Sequence, residues 1–190
     1  WDRAKAFIIK AGTVIFVACG VIWFLSSFDF TLQMVDTSES MLASIGNVFA
    51  PIFAPLGFGN WQSAVASITG FVAKENVVGT FGVLFGIAEA AEDDPTLMQN
   101  VASLFTVASA YAFIAFNMLN APCFAAIGAI RREMGSWKWT WITLVFQTGT
   151  AYLVALVINQ VGSFIGGYGS LTGAIISVMV VICVITVVLI

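Results

Sequence analysis

SAVASITGFVAKENVVGTFGVLFGI, residues 63–87, is the stretch whose reading decides the fold. It is apolar for long enough to cross a hydrocarbon core of about 30 Å as a helix, yet Lys74, Glu75 and Asn76 stand near its centre. A charge at mid-helix costs about 2.5–3.5 kcal/mol on insertion scales, so two adjacent ones need a structural reason. A helix that stops and restarts supplies one, because its broken ends and the polar groups beside them bind an ion or a substrate near the midplane. Gly70 and Gly79 flank the charges and ease such a break. The plainer reading is that Lys74 and Glu75 neutralise each other, or partners on another helix, and fix packing. Downstream, Gly79, Gly82 and Gly86 recur at three and four residues, a face without side chains that lets a second helix approach.

Composition carries the same message outward. Of 190 residues, 60% are hydrophobic and 9% charged, against roughly 25% charged in a soluble domain, and the mean hydropathy is +1.00. With 7 Lys+Arg against 10 Asp+Glu, the chain has no basic surface for nucleic acid. Histidine is absent, which excludes His-based metal sites and His-dependent catalysis. Cys19, Cys123 and Cys183 are far apart in apolar surroundings, which argues against disulfides and CxxC motifs. The start at Trp1, with no signal peptide after it, reads as part of a longer protein.

Three stretches read as plain spans: roughly 6–28, 139–161 and 171–190. Between them, 41–58, 61–88 and 101–130 are apolar but interrupted. Pro51 and Pro55 break the first, so it reads as a re-entrant arm at least as readily as a full span. Arg3, Lys5 and Lys10 precede the first span, and Arg131, Arg132 and Lys138 lie together in a later loop. The loops 29–40 and 89–100 carry only acidic charges. By the positive-inside tendency the basic segments are cytoplasmic. The expectation is an all-α polytopic integral membrane helical bundle forming one domain over 1–190. It has about six membrane-embedded segments, discontinuous or re-entrant helices, and both ends cytoplasmic. Arg131–Trp141, RREMGSWKWTW, is an interfacial anchor of cations beside tryptophans.

A second constellation is Asn117, Asn120, Pro122 and Cys123, in a run otherwise free of charge. Pro122 cannot donate to the Met118 carbonyl, which leaves that acceptor for another partner. On a locally helical path, Asn117, Asn120 and Cys123 share a face offering two amide oxygens and a sulfur. That mixture suits a borderline divalent metal such as Fe2+ better than Mg2+ or Ca2+. The alternative for Cys123 is a small buried hydrophobe beside a proline kink. Exposed glycines and polar breaks suit lipid poorly, so the isolated chain is expected to form a homo-oligomer.

Four runs, KAFIIKAGTVIFVACGVIWFLSSF (5–28), GFVAKENVVGTFGVLFG (70–86), NAPCFAAIGAIRREMGSWKW (120–139) and QTGTAYLVALVINQVG (147–162), resemble the C-terminal membrane half of the bacterial ferrous iron transport protein B family, FeoB. They cover nearly the whole chain in order. The resemblance implies two gate-type halves related to nucleoside-transporter gate domains, of which this chain is the second. It implies iron passage by Cys123 after Pro122, and places the family's Lys-Glu pair on Lys74 and Glu75 as gating residues. An N-terminal GTPase with a GxxxxGK[ST] loop and the first gate half would lie outside this chain. The implied function is transport of Fe2+ across the bacterial inner (plasma) membrane, with Fe2+ as cargo and no tightly bound cofactor. The implied partners are the lipid bilayer, the rest of the FeoB chain and a small FeoA-type accessory protein. The chain itself would not be an enzyme. The alternatives are a gate-domain transporter of a nucleoside-like solute, expected to have a large aromatic pocket, and a non-transporting membrane assembly subunit.

Overall fold

The computed structural model describes residues 20–72, 74, 76–85, 95–121 and 124–189, together with Lys5, Thr13, Phe16 and Val17. The chain is an all-α membrane helical bundle. Among the described residues the one strand-like pairing is an isolated antiparallel bridge, Phe28 with Met34. A helical stretch over 20–27 ends in a turn organised by Asp29. Its carboxylate accepts from the Thr31 hydroxyl at 2.7 Å and from the Thr31 and Gln33 amides at 2.8 and 3.0 Å. The Thr31 hydroxyl first, and the Gln33 amide after it, hold this carboxyl below its ordinary value. The turn is therefore held at pH above the ordinary carboxylate pKa and loosens as pH falls through the lowered one.

Helix α1, Met41–Phe53, starts at Ser40, whose hydroxyl accepts from the Ala43 amide and donates to the Thr37 carbonyl. Pro51 lies inside it, and Pro55 ends it. Pro55 has no N–H for the Pro51 carbonyl, so the Ala54 amide takes that acceptor and the backbone tightens into a 3-10 turn, Ala54–Leu56. Gly57, at φ 85°, reverses the chain into α2, Trp61–Val72, and the two arms meet at 96°. Neither arm alone reaches across about 30 Å at 1.5 Å per residue. The carbonyls stranded at the break are bonded from α7, Trp137–Ile165. Tyr152 donates to the Ile52 carbonyl at 2.7 Å, and Asn159 and Gln160 donate to that of Pro55 at 3.2 and 3.1 Å.

A Cβ added at Gly57 would meet the Asn159 side-chain amide, and the left-handed backbone there disfavours any L side chain. Gly57→Ala is therefore expected to cost about 2 kcal/mol and to lower the thermal midpoint of the full-length protein in detergent by roughly 5 °C. Adding Asn159→Ser should recover part of the loss. An unshifted melt for Gly57→Ala would mean that this junction does not hold the arm.

The remaining elements are α3, Asn76–Leu84; α4, Pro95–Leu104; α5, Val107–Leu119; α6, Phe124–Met134; and α8, Leu171–Leu189. α4 and α5 bend by 101° at Phe105 and Thr106. There Thr106 and Ser109 form a reciprocal capping box that starts α5. The sequence placed this region differently: α4 begins inside the expected acidic loop, and the break at Thr106 was not anticipated. The core joins these breaks. Phe58, in the α1–α2 turn and fully buried, lies 5.5 Å from Phe53 and 5.2 Å from Phe113, and Phe113 lies 5.0 Å from Phe105 and 5.9 Å from Phe81.

Among the described residues the most extensive helix contact is α5 against α7. Small residues line it, and a Cβ on Gly162 would come within 2.9 Å of that of Ala108. In the expected Gly79–Gly82–Gly86 face, Gly82 is buried, Gly79 is exposed and Gly86 lies outside the described residues. Among the described residues, α7 alone is long and apolar enough to cross a membrane as a single helix, and the bent pairs α1–α2 and α4–α5 each reach that length together. Ile142, Val145 and Phe146 on α7 are exposed, as a lipid-facing side requires, and Trp137, Trp139 and Trp141 are exposed at its start. The Arg131 guanidinium sits 5.0 Å over the Trp137 ring.

Candidate functional site

The break expected around Lys74 is present: α2 stops at Val72 and α3 restarts at Asn76. Lys74, half-buried in the gap, reaches the end of α5, where its ammonium donates to the Met118 carbonyl at 3.1 Å and the Asn120 carbonyl at 3.0 Å. The last carbonyls of a helix lack intrahelical partners and carry the negative end of its dipole, so a cation there is doubly favoured. The Met118 acceptor that Pro122 cannot serve is thus bonded to Lys74. One side chain ties two of the chain's discontinuities together. It also means that the carbonyl that sequence reasoning left open to an ion already holds an ammonium group.

The shared helical face of Asn117, Asn120 and Cys123 stops at Leu119. Asn120 is the cap of α5, with ψ 163°, and its buried side-chain oxygen accepts from the Ala121 amide at 2.8 Å. Two local effects turn the chain here. Ala121 precedes a proline, which disfavours helical backbone, and an asparagine side chain readily bonds to nearby backbone instead of continuing a helix. Asn117 remains on α5. Its Nδ2 donates to the Phe113 carbonyl at 2.9 Å, which turns Oδ1 toward α2, where it would lie 3.2 Å from a Cβ added at Gly70. The structure thus brings Lys74, Asn117 and the Asn120 backbone to one end of α5. Glu75, Pro122 and Cys123 lie outside the described residues, as does Cys19, whereas Cys183 is exposed on α8. Among the described residues no group of three His, Cys, Asp or Glu could hold a metal ion.

Beside this junction lies a groove of about 980 Å³ between α3, α4 and α5. Phe81, Phe105, Phe113, Met98 and Met118 give it an apolar wall, and Lys74 and Asn117 supply polar groups. Sequence reasoning missed three further polar features. These are the α7 donors Tyr152, Asn159 and Gln160, the capping box at Thr106, and the buried hydroxyls of Ser63 and Ser67. The first two had signals: polar residues inside a span, and Thr three residues before Ser at the head of an apolar run.

The family model described as Gate, nucleoside recognition, matches residues 8–137. The Fe(2+) transporter FeoB of Staphylococcus aureus (strain MSSA476) is 38% identical over 162 residues, covering 85% of this chain and 24% of that protein. The Fe(2+) transporter FeoB of Methanocaldococcus jannaschii is 34% identical over 173 residues, covering 87% of this chain and 25% of that protein. A Fe(2+) transport protein A/Fe(2+) transporter FeoB fusion protein of Porphyromonas gingivalis is 27% identical over 208 residues, covering 85% of this chain and 24% of that protein. The chain spans about a quarter of the length of the curated relatives it matches. No solved structure matches it.

Proposed function

The chain belongs to the Gate, nucleoside recognition, family, and from that premise we propose that it is a gate half of a ferrous iron transporter and forms part of the ion path. The observation that carries the reading is the similarity to proteins named Fe(2+) transporter FeoB over 85% of the chain. The joined breaks at Lys74 and at the end of α5 support it, since they give a membrane bundle polar groups where an ion needs them. In this reading Cys123, Asn120 and Asn117 meet Fe2+. Lys74, Glu75 and Pro122 govern the two broken segments. The unit is a transport element and not an enzyme. A GTPase and a first gate half belong to the rest of the full-length chain, and the whole lies in the inner membrane with both ends of this half cytoplasmic. The fusion protein's name supports a FeoA-type partner. Outside the full-length chain, self-association would cover the exposed apolar and polar surfaces.

The groove favours a second reading. It is wide and aromatic, as a site for a nucleoside-like solute would be, and the family model's description points the same way. Against it, the polar lining is sparse: Lys74 and Asn117 at one end, and Thr106, whose hydroxyl is engaged by Ser109. A nucleoside carries hydroxyls and ring heteroatoms along its length, and a site for it needs several placed partners. Reconstitution of the full-length protein in vesicles decides between the two. Labelled ferrous iron should accumulate and labelled uridine should not. Uridine uptake without iron uptake would reverse the assignment, and uptake of neither would leave the assembly-subunit reading.

A further inference from the structure

Ser63 and Ser67 on α2 are fully buried, and neither hydroxyl has a hydrogen-bond partner among the described residues. A buried hydroxyl left unpaired costs about 1–3 kcal/mol, and here two lie one turn apart on one helix. Their direction follows from α1. A Cβ at Gly46 of α1 would meet Val65 Cγ2 at 2.7 Å and the Trp61 carbonyl at 2.8 Å, so α1 covers the Trp61–Val65 side of α2. Ser63 and Ser67 each lie two residues further on, about 200° round the helix and so away from α1. Gly70 follows Ser67 at three residues, on the same face, and Lys74 stands in the gap beyond the end of α2 at Val72. A Cβ at Gly70 would meet Val77 Cγ2 of α3 at 3.0 Å and Asn117 Oδ1 of α5 at 3.2 Å, the latter turned there because Nδ2 is bonded to the Phe113 carbonyl. One face of α2 therefore presents in sequence the Ser63 hydroxyl, the Ser67 hydroxyl and a glycine against a valine methyl and an amide oxygen, and the Lys74 ammonium stands in the break beyond its end.

We propose that this face lines a hydrated file, through which a partly hydrated divalent cation passes between the Ser63 end of α2 and the break at Lys74. Hydroxyl and amide oxygens about one turn apart are hard, neutral, weak ligands. They exchange with water and hold a cation too loosely to trap it, as conduction requires. Water in the file satisfies the two hydroxyls when no ion is present. The proposal rests on the transport reading above for its cargo, but its geometry is that of α2, α5 and the gap between α2 and α3.

The test uses Ser63→Ala and Ser67→Ala, singly and together, in the full-length protein. With no hydrogen-bond partner to lose among the described residues, the variants should melt at the parent temperature or above it, while the double variant takes up ferrous iron at least tenfold more slowly. A readout independent of transport is the reaction of silver ion with Ser67→Cys in the purified protein, parent measured alongside. A wet file admits the ion to this thiol and not to that of Val65→Cys, which lies on the opposite, α1-facing side of the same buried helix. If the parent takes up no iron, the transport reading fails while the silver experiment still decides the file. If the parent transports and the double variant matches it, or the Ser67→Cys thiol stays unreacted, the file is wrong. A lowered melting temperature in the alanine variants would give the hydroxyls protein partners and would overturn it too.

Discussion

Cys123→Ser in the full-length protein is expected to reduce labelled ferrous iron uptake at least tenfold at matched membrane expression. The substitution keeps the side chain's size and exchanges a sulfur, which suits Fe2+, for a much poorer hydroxyl ligand, so folding should survive while ion contact is lost. In sequence Cys123 falls between the Asn120 cap of α5 and the start of α6 at Phe124. A bound metal stabilises the thiolate in apolar surroundings that otherwise oppose it. Cys183→Ser is the control, since that thiol is exposed on α8 among apolar residues and should be silent. Equal uptake by both variants would remove Cys123 from the path and leave it a packing residue.

Lys74→Met is expected to abolish most transport and also to destabilise the protein. It removes two hydrogen bonds from an ammonium to the end of α5 and leaves the Met118 and Asn120 carbonyls without that donor. Bonds to a charged group contribute about 1.5–3 kcal/mol each in favourable settings. Lys74 is only half-buried, so a total of about 2 kcal/mol is the sensible expectation, corresponding to a fall of roughly 5 °C in thermal midpoint. Lys74→Arg retains the charge and several donors and should keep the midpoint near the parent's, although its planar fork need not fit two carbonyls placed for an ammonium. If Lys74→Met melts with the parent and transports normally, the link between the two breaks is incidental.

These two expectations differ in where they come from. Cys123 is singled out by residue type and by its place after a proline, both of which are visible in the sequence. The importance of Lys74 was visible only as an anomaly, a charge in an apolar run. What it does came from the partner, and that partner lies more than forty residues away at the end of another helix. The sequence likewise freed the Met118 carbonyl through Pro122, but it had no means to say that Lys74 would take it.

Local chemistry alone determined that the chain is an all-α membrane bundle, that 41–58 and 61–88 are interrupted, and that the breaks fall at prolines and at Lys74. Hydrophobic run length and the absence of an amide proton on proline act within a few residues and need no neighbours. Tertiary structure alone decided what satisfies each break. Tyr152, Asn159 and Gln160 reach the Pro55 turn across about a hundred residues, and Phe58 leaves its loop to fill the centre of the core. An unpaired backbone group in a membrane must find a donor or acceptor somewhere. Sequence can show that the group is orphaned, but only the packing of helices distant along the chain determines which side chain arrives to pair with it.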